Sequence, residues 1–214
     1  MPAPEIFKMS LNRWNSLVLS LCLAACTTTS GDVRDAHEVP DSPWLQASPL
    51  LGQQIQDEAA RMPFTHGFDR LEQIRWFAAI GEPAYDTLLR LAKDPRDDVA
   101  AAALAALGAT LDSRLVAHVH GLEWSPERVQ GDLELERSRC LVRLGDWSAM
   151  PTLIDGLEDE RLFTRSLCLD ALREATRETN GFDARAEKAL RDKAVAAWRQ
   201  WWMARSGEGI LPKR

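Results

Sequence analysis

The chain of 214 residues has no His-Glu-x-x-His, no Cys-x-x-Cys and no glycine-rich phosphate loop. The patterns that hold a catalytic zinc, a redox dithiol or a nucleoside triphosphate are therefore missing. Histidine is scarce: His37, His66, His118 and His120 are all there are, and the i, i+2 spacing of the last two points them to different sides of a helix. Catalysis needs a nucleophile beside a base, a metal cluster, or paired carboxylates in a pocket, and no such set assembles from these residues. The expectation is a non-enzymatic chain with no cofactor and no metal. An excess of positive charge is also missing, since 26 Lys and Arg face 32 Asp and Glu for a net charge of -6. Nucleic-acid affinity comes largely from cations neutralising phosphates, so that class of partner is excluded. No apolar run approaches the ~20 residues that a permanent membrane-spanning helix needs. From Leu50 onward there is no alternating strand pattern, while apolar residues recur every three or four positions, which predicts an all-α body.

What is present at the start is an export address. Lys8 and Arg13 precede the short apolar run Leu17-Val18-Leu19-Ser20-Leu21-Cys22-Leu23-Ala24-Ala25, as in a removable signal. The run ends in Leu23-Ala24-Ala25-Cys26, which resembles the lipobox of bacterial lipoproteins. That resemblance implies cleavage after residue 25 and lipidation of Cys26 by acyl chains of the palmitate type. It places the chain in the cell envelope, on the periplasmic face, attached to a membrane. One acyl chain gives only marginal attachment, so the several chains implied here would hold stably. Thr27, where an Asp would favour retention in the inner membrane, points to the outer membrane. The alternative is an ordinary secretory signal, with Cys26 a free thiol or a disulfide partner. Removal of residues 1–25, which carry Lys8 and Arg13 against Glu5, leaves the mature chain near -7.

Residues 26–49 are rich in Ser, Thr, Asp and Pro and read as a flexible tether, with Trp44 read as a point of docking on the body. Residues 50–205 form the helical domain and 206–214 a disordered tail. Asp94-Pro95 reads as an N-cap followed by proline at the first helical position, and Ser125-Pro126-Glu127 repeats it. Gly81, Gly108, Gly145 and Gly181 follow apolar helical runs, where a left-handed closing residue is expected. Similar units close at Ile80, Leu107, Leu144 and Leu172, spaced 27, 37 and 28 residues apart. These units resemble the short HEAT-like repeats of the phycobilisome-lyase type. The second, Leu88 to Gly108, matches best, whereas the third carries extra residues from Glu123 to Gly131 and the fourth has Asp159-Glu160 and Arg173 in place of Asp-Pro and glycine. The resemblance, over about residues 68–176, implies an α-solenoid of stacked helix pairs.

The stripe Leu190, Ala194, Ala197, Trp198, Trp201, widened by Trp202, predicts an amphipathic helix over Asp183 to Arg205, a Trp-rich cap on the last repeat. Trp198, Trp201 and Trp202 are candidate binding residues if they form an exposed aromatic patch, and packing residues if they close the core. Asp155, Glu158, Asp159 and Glu160 read as a solvated turn. Cys140 and Cys168 hold equivalent places in their units and are expected as buried thiols. The leading functional expectation is a lipid-anchored, non-catalytic scaffold that binds another envelope protein. A lyase-like enzyme or chaperone sharing the repeat fold, and a structural spacer without a dedicated partner, are the competing readings.

Overall fold

A computed structural model describes residues 42–126 and 132–207. The signal over 1–25, the lipidation site Cys26, the tether up to residue 41, the segment 127–131 and the tail from 208 lie outside the described residues. The described residues belong to the unit Asp41–Arg214. Among them every regular element is helical, and none is long and apolar enough to cross a membrane.

The longer helices are α1 (Pro49–Arg61), α2 (Gly67–Ile80), α3 (Tyr85–Leu91), α4 (Asp97–Ala109) and α5 (Val116–His120). They continue with α6 (Asp132–Arg143), α7 (Met150–Gly156), α8 (Leu162–Thr176) and α9 (Lys188–Gly207). Short 3₁₀ turns lead into α3, α5 and α7. Helix α1 opens where Ser48 Oγ accepts the Leu51 N–H at 3.3 Å and Pro49 takes a position whose N–H has no helical partner. Alanine-rich α4 favours the helix through its composition and buries Ala100, Ala102, Ala103 and Ala106.

Three of the four expected glycine endings adopt positive φ: Gly81 at 69°, Gly145 at 93° and Gly181 at 72°. Gly108 does not. It stays helical inside α4, and a Cβ there would meet Cys140 Cα at 3.1 Å, so this glycine lets α4 and α6 approach. The left-handed residue falls instead on Leu111, φ 58°. In the fourth unit, which lacks the glycine, α8 runs on to Thr176 and Arg177 takes the left-handed position, φ 65°.

The helix starts also differ from expectation. Asp94 does not cap α4; Arg96 occupies the N-cap position, and Asp94 Oδ1 accepts the Arg96 backbone N–H at 3.0 Å one turn earlier. The same Asp-x-Arg turn recurs with Asp112 and Arg114 (3.0 Å), Asp159 and Arg161 (2.8 Å), and Asp183 and Arg185 (2.9 Å). In the first three the guanidinium also folds back on its own aspartate. Each turn is thereby fixed by side-chain acceptors that satisfy backbone donors ahead of the helix.

Helices α2, α4, α6 and α8 form a row in which each packs on the next, while α3 packs on α4, α7 on α6 and α8, and α9 on α7. The row is parallel. Arg70 near the start of α2 donates to Asp98 near the start of α4 (2.8 Å to its carbonyl), and Gly108 meets Cys140 near the ends of α4 and α6. Arg161, just before α8, donates to Asp132 at the start of α6 (2.7 Å), while Arg143 pairs with Glu174 (3.2 Å) at their far ends. Leu107, Leu144 and Leu172, the closing leucines, are all buried in one continuous core.

Candidate functional site

Three surfaces concentrate functional side chains. The first is the contact between α9 and α7. Trp198 is wholly buried, so it packs the core and presents no surface to a ligand, in line with the packing reading of this residue and not the exposed-patch one. Trp201 and Trp202 are half-buried against the core. Trp201 stands edge-on to Trp198 with ring centroids 5.4 Å apart, and Trp147 joins them at 6.5 Å from Trp201. Arg205 covers the Trp201 ring at 4.5 Å, a cation over the negative π face. Asp155, in the last turn of α7, and Glu158, just after it, are engaged here: Arg199 donates to Asp155 Oδ1 at 2.8 Å and to Glu158 Oε2 at 2.7 Å. Asp159 is held by Arg161, whose guanidinium keeps that carboxyl below the usual carboxylate range.

A second surface is a groove between α6 and α8, enclosing a small cavity of about 60 Å³. Leu135, Leu167 and Phe163 supply apolar walls, and Asp132, Glu136 and Arg139 supply charge. Phe163 is 73% exposed, an aromatic ring standing at the mouth of the groove without protein over it. Glu136 accepts two 2.7 Å bonds from Arg139, yet burial still holds its carboxyl above the usual range. Cys168 lines the floor. Cys140 and Cys168 are both free thiols, and burial pushes each up to about 12, so neither forms a thiolate nucleophile at neutral pH.

The third surface receives Trp44. This indole, in the stretch read as tether, is 7% exposed. It stands edge-on to Tyr85 (5.1 Å), tilts against His118 (4.9 Å) and lies under the Arg114 guanidinium (5.5 Å). Burying an indole of about 150–250 Å² at ~25 cal/mol per Å² contributes about 4–6 kcal/mol. Ordering each of residues 42–48 costs about 1–2 kcal/mol. Summed over these seven residues the ordering cost exceeds what the indole alone supplies, so Trp44 holds the strap together with Ala47, which packs partly buried on the core.

The remaining histidine with a defined partner is His120, whose Nε2 lies 2.5 Å from Asp146 Oδ2. Asp146 also accepts the Ser148 backbone N–H at 3.2 Å and its hydroxyl at 2.8 Å. Both side chains bind the aspartate, so Ser148 is not presented to the imidazole as a nucleophile would be. Among the described residues no three His, Cys, Asp or Glu groups come together as metal ligands.

Sequence reasoning missed three arginines that sew turns to helices. Arg70, Arg165 and Arg191, each the fourth residue of its helix, donate to carbonyls of the preceding segment. Buried Arg165 reaches the Asp159, Glu160 and Ala184 carbonyls at 2.7–3.1 Å. An arginine at the fourth helical position was the available signal.

Comparison with protein-family models, with curated proteins and with solved structures finds no match to this chain.

Proposed function

We propose that this chain is a lipid-anchored envelope protein whose HEAT-like helical body binds another protein, without catalysis of its own. The observation that carries the binding role is the α6–α8 groove, with Phe163 exposed at its mouth over apolar walls and a half-buried Glu136–Arg139 pair at its side. Exposed aromatics beside fixed charge are what a protein partner uses as anchor and register. The parallel row α2, α4, α6, α8 supports the solenoid reading, because stacked repeats place equivalent helices side by side in one direction. Helix α9 supports the cap reading: its Trp198 fills the end of the core against α7. The anchoring role rests on the lipobox-like Leu23-Ala24-Ala25-Cys26.

Two measurements separate these roles. Replacing Cys26 with Ser should move the folded body from the membrane fraction to the soluble fraction, and continued membrane association would refute the anchor. Crosslinking in whole envelopes followed by purification should recover one defined protein with the wild-type chain. Recovery of nothing specific would leave only the spacer reading.

A further inference from the structure

The strap over residues 42–48 is held differently from the rest of the body. Its hydrogen bonds are local: the Trp44 N–H donates to Ser42 Oγ (3.2 Å), and Gln46 Nε2 donates to the Trp44 carbonyl (2.9 Å). Leu45, Gln46 and Ser48 are exposed. Trp44 enters the body, and Ala47 packs partly buried against the core.

The walls that receive it are fixed by bonds that do not involve the strap. The Tyr85 hydroxyl donates to Asp112 Oδ2 at 3.1 Å, and Tyr85 is itself nearly buried. Arg114 donates through Nη2 to Asp112 Oδ2 (2.7 Å) and through Nη1 to Glu82 Oε1 (3.1 Å), which holds its guanidinium over the Trp44 ring. His118 belongs to α5. A phenol ring, an imidazole and a pinned cation form three sides of a box around the indole, and the bonds that hold the phenol and the cation are made within the body.

We propose that the Tyr85–His118–Arg114 box is a receptor for a peptide segment carrying a tryptophan. The chain's own Ser-Pro-Trp-Leu strap fills it in cis, and a partner segment of the same kind fills it when the strap leaves. The cation over the ring and the perpendicular phenol select an aromatic side chain, with indole favoured over phenyl because its π face is the most electron-rich. Exposed Pro43 and Leu45 on either side of Trp44 leave its flanks clear of the body and keep the strap exchangeable. This inference stands apart from the scaffold reading, because it concerns a different surface and is measured on the purified chain.

The test uses the full chain carrying Trp44→Ala and a labelled peptide with the sequence of residues 40–48, followed by fluorescence anisotropy. The variant should bind the peptide at least tenfold more tightly than the wild-type chain, whose own strap competes. Changing the peptide tryptophan to alanine, or adding Arg114→Ala to the variant, should weaken binding at least tenfold. If Trp44→Ala loses its helical circular dichroism, Trp44→Leu replaces it, retaining an apolar contact on Tyr85. A folded variant that binds no peptide, or binds it no better than the wild-type chain, would overturn the proposal.

Discussion

The Cβ that Gly108 lacks would stand 3.1 Å from Cys140 Cα, so α4 and α6 touch backbone to backbone at this point. The obstacle is main chain, which cannot swing aside as a side-chain tip can. Gly108→Ala should therefore destabilise the body by about 1–3 kcal/mol through overpacking. That exceeds the ~1 kcal/mol that alanine adds through helix propensity. Urea denaturation followed by circular dichroism reads the difference, and an unchanged or raised midpoint would mean the row of helices is looser than described.

At the α9 contact, burial and ion pairing compete as explanations of what holds the last helix. Arg199 and its acids are about half exposed, and exposed ion pairs contribute ~0–1 kcal/mol. Trp198 is fully buried, and losing a buried aromatic side chain costs ~3–5 kcal/mol. Trp198→Ala should thus lower thermal stability by several times the effect of Arg199→Ala. Equal effects would show that charge, not the indole, secures α9.

Acid should weaken the Asp-x-Arg turns. Arg114 holds Asp112 below the ordinary aspartate value, and Arg161 does the same for Asp159. A depressed folded-state pKa gives stability that is present above the unfolded value and lost as pH falls through the folded one. Asp112→Asn and Asp159→Asn should each flatten the decline in stability below pH ~4, the region of an ordinary aspartate. Half-buried Glu136 acts in the opposite sense, since its raised pKa makes its ionisation unfavourable to folding and acidification relieves that strain. Denaturation midpoints measured from pH 7 downward check the sign, and parallel curves for wild type and both variants would contradict it.

The cysteines give a kinetic prediction. With Cys140 and Cys168 buried and their thiols pushed up to about 12, maleimide at pH 7 should leave both unmodified in the native chain. Both should react in denaturant. Peptide mass analysis reads each site separately, and rapid native labelling of Cys168 would mean that the α6–α8 groove opens to its floor.

The all-α class was legible because apolar spacing of three and four residues is a local signal, and Gly81, Gly145 and Gly181 marked chain reversals through their own conformational freedom. Gly108 misled because a glycine after an apolar run looks the same whether it ends a helix or admits a neighbouring one; the distinction lies in Cys140, 32 positions away. Asp94 misled because an aspartate before proline can cap a helix or a preceding turn, and the arginine two residues on decides which. At the candidate sites, the Trp198 stripe was visible in the sequence, but its neighbour Trp147 and the partners of Trp44 come from distant segments that only tertiary packing brings together.

The central claim is that the body holds another protein across the α6–α8 groove. Its most direct test places a photo-crosslinking amino acid at position 163 in the full chain, in its native envelope. Exposed position 111 serves as the control. The claim predicts a discrete adduct from 163 that is absent from 111. No adduct from 163, or the same adducts from both positions, would contradict it.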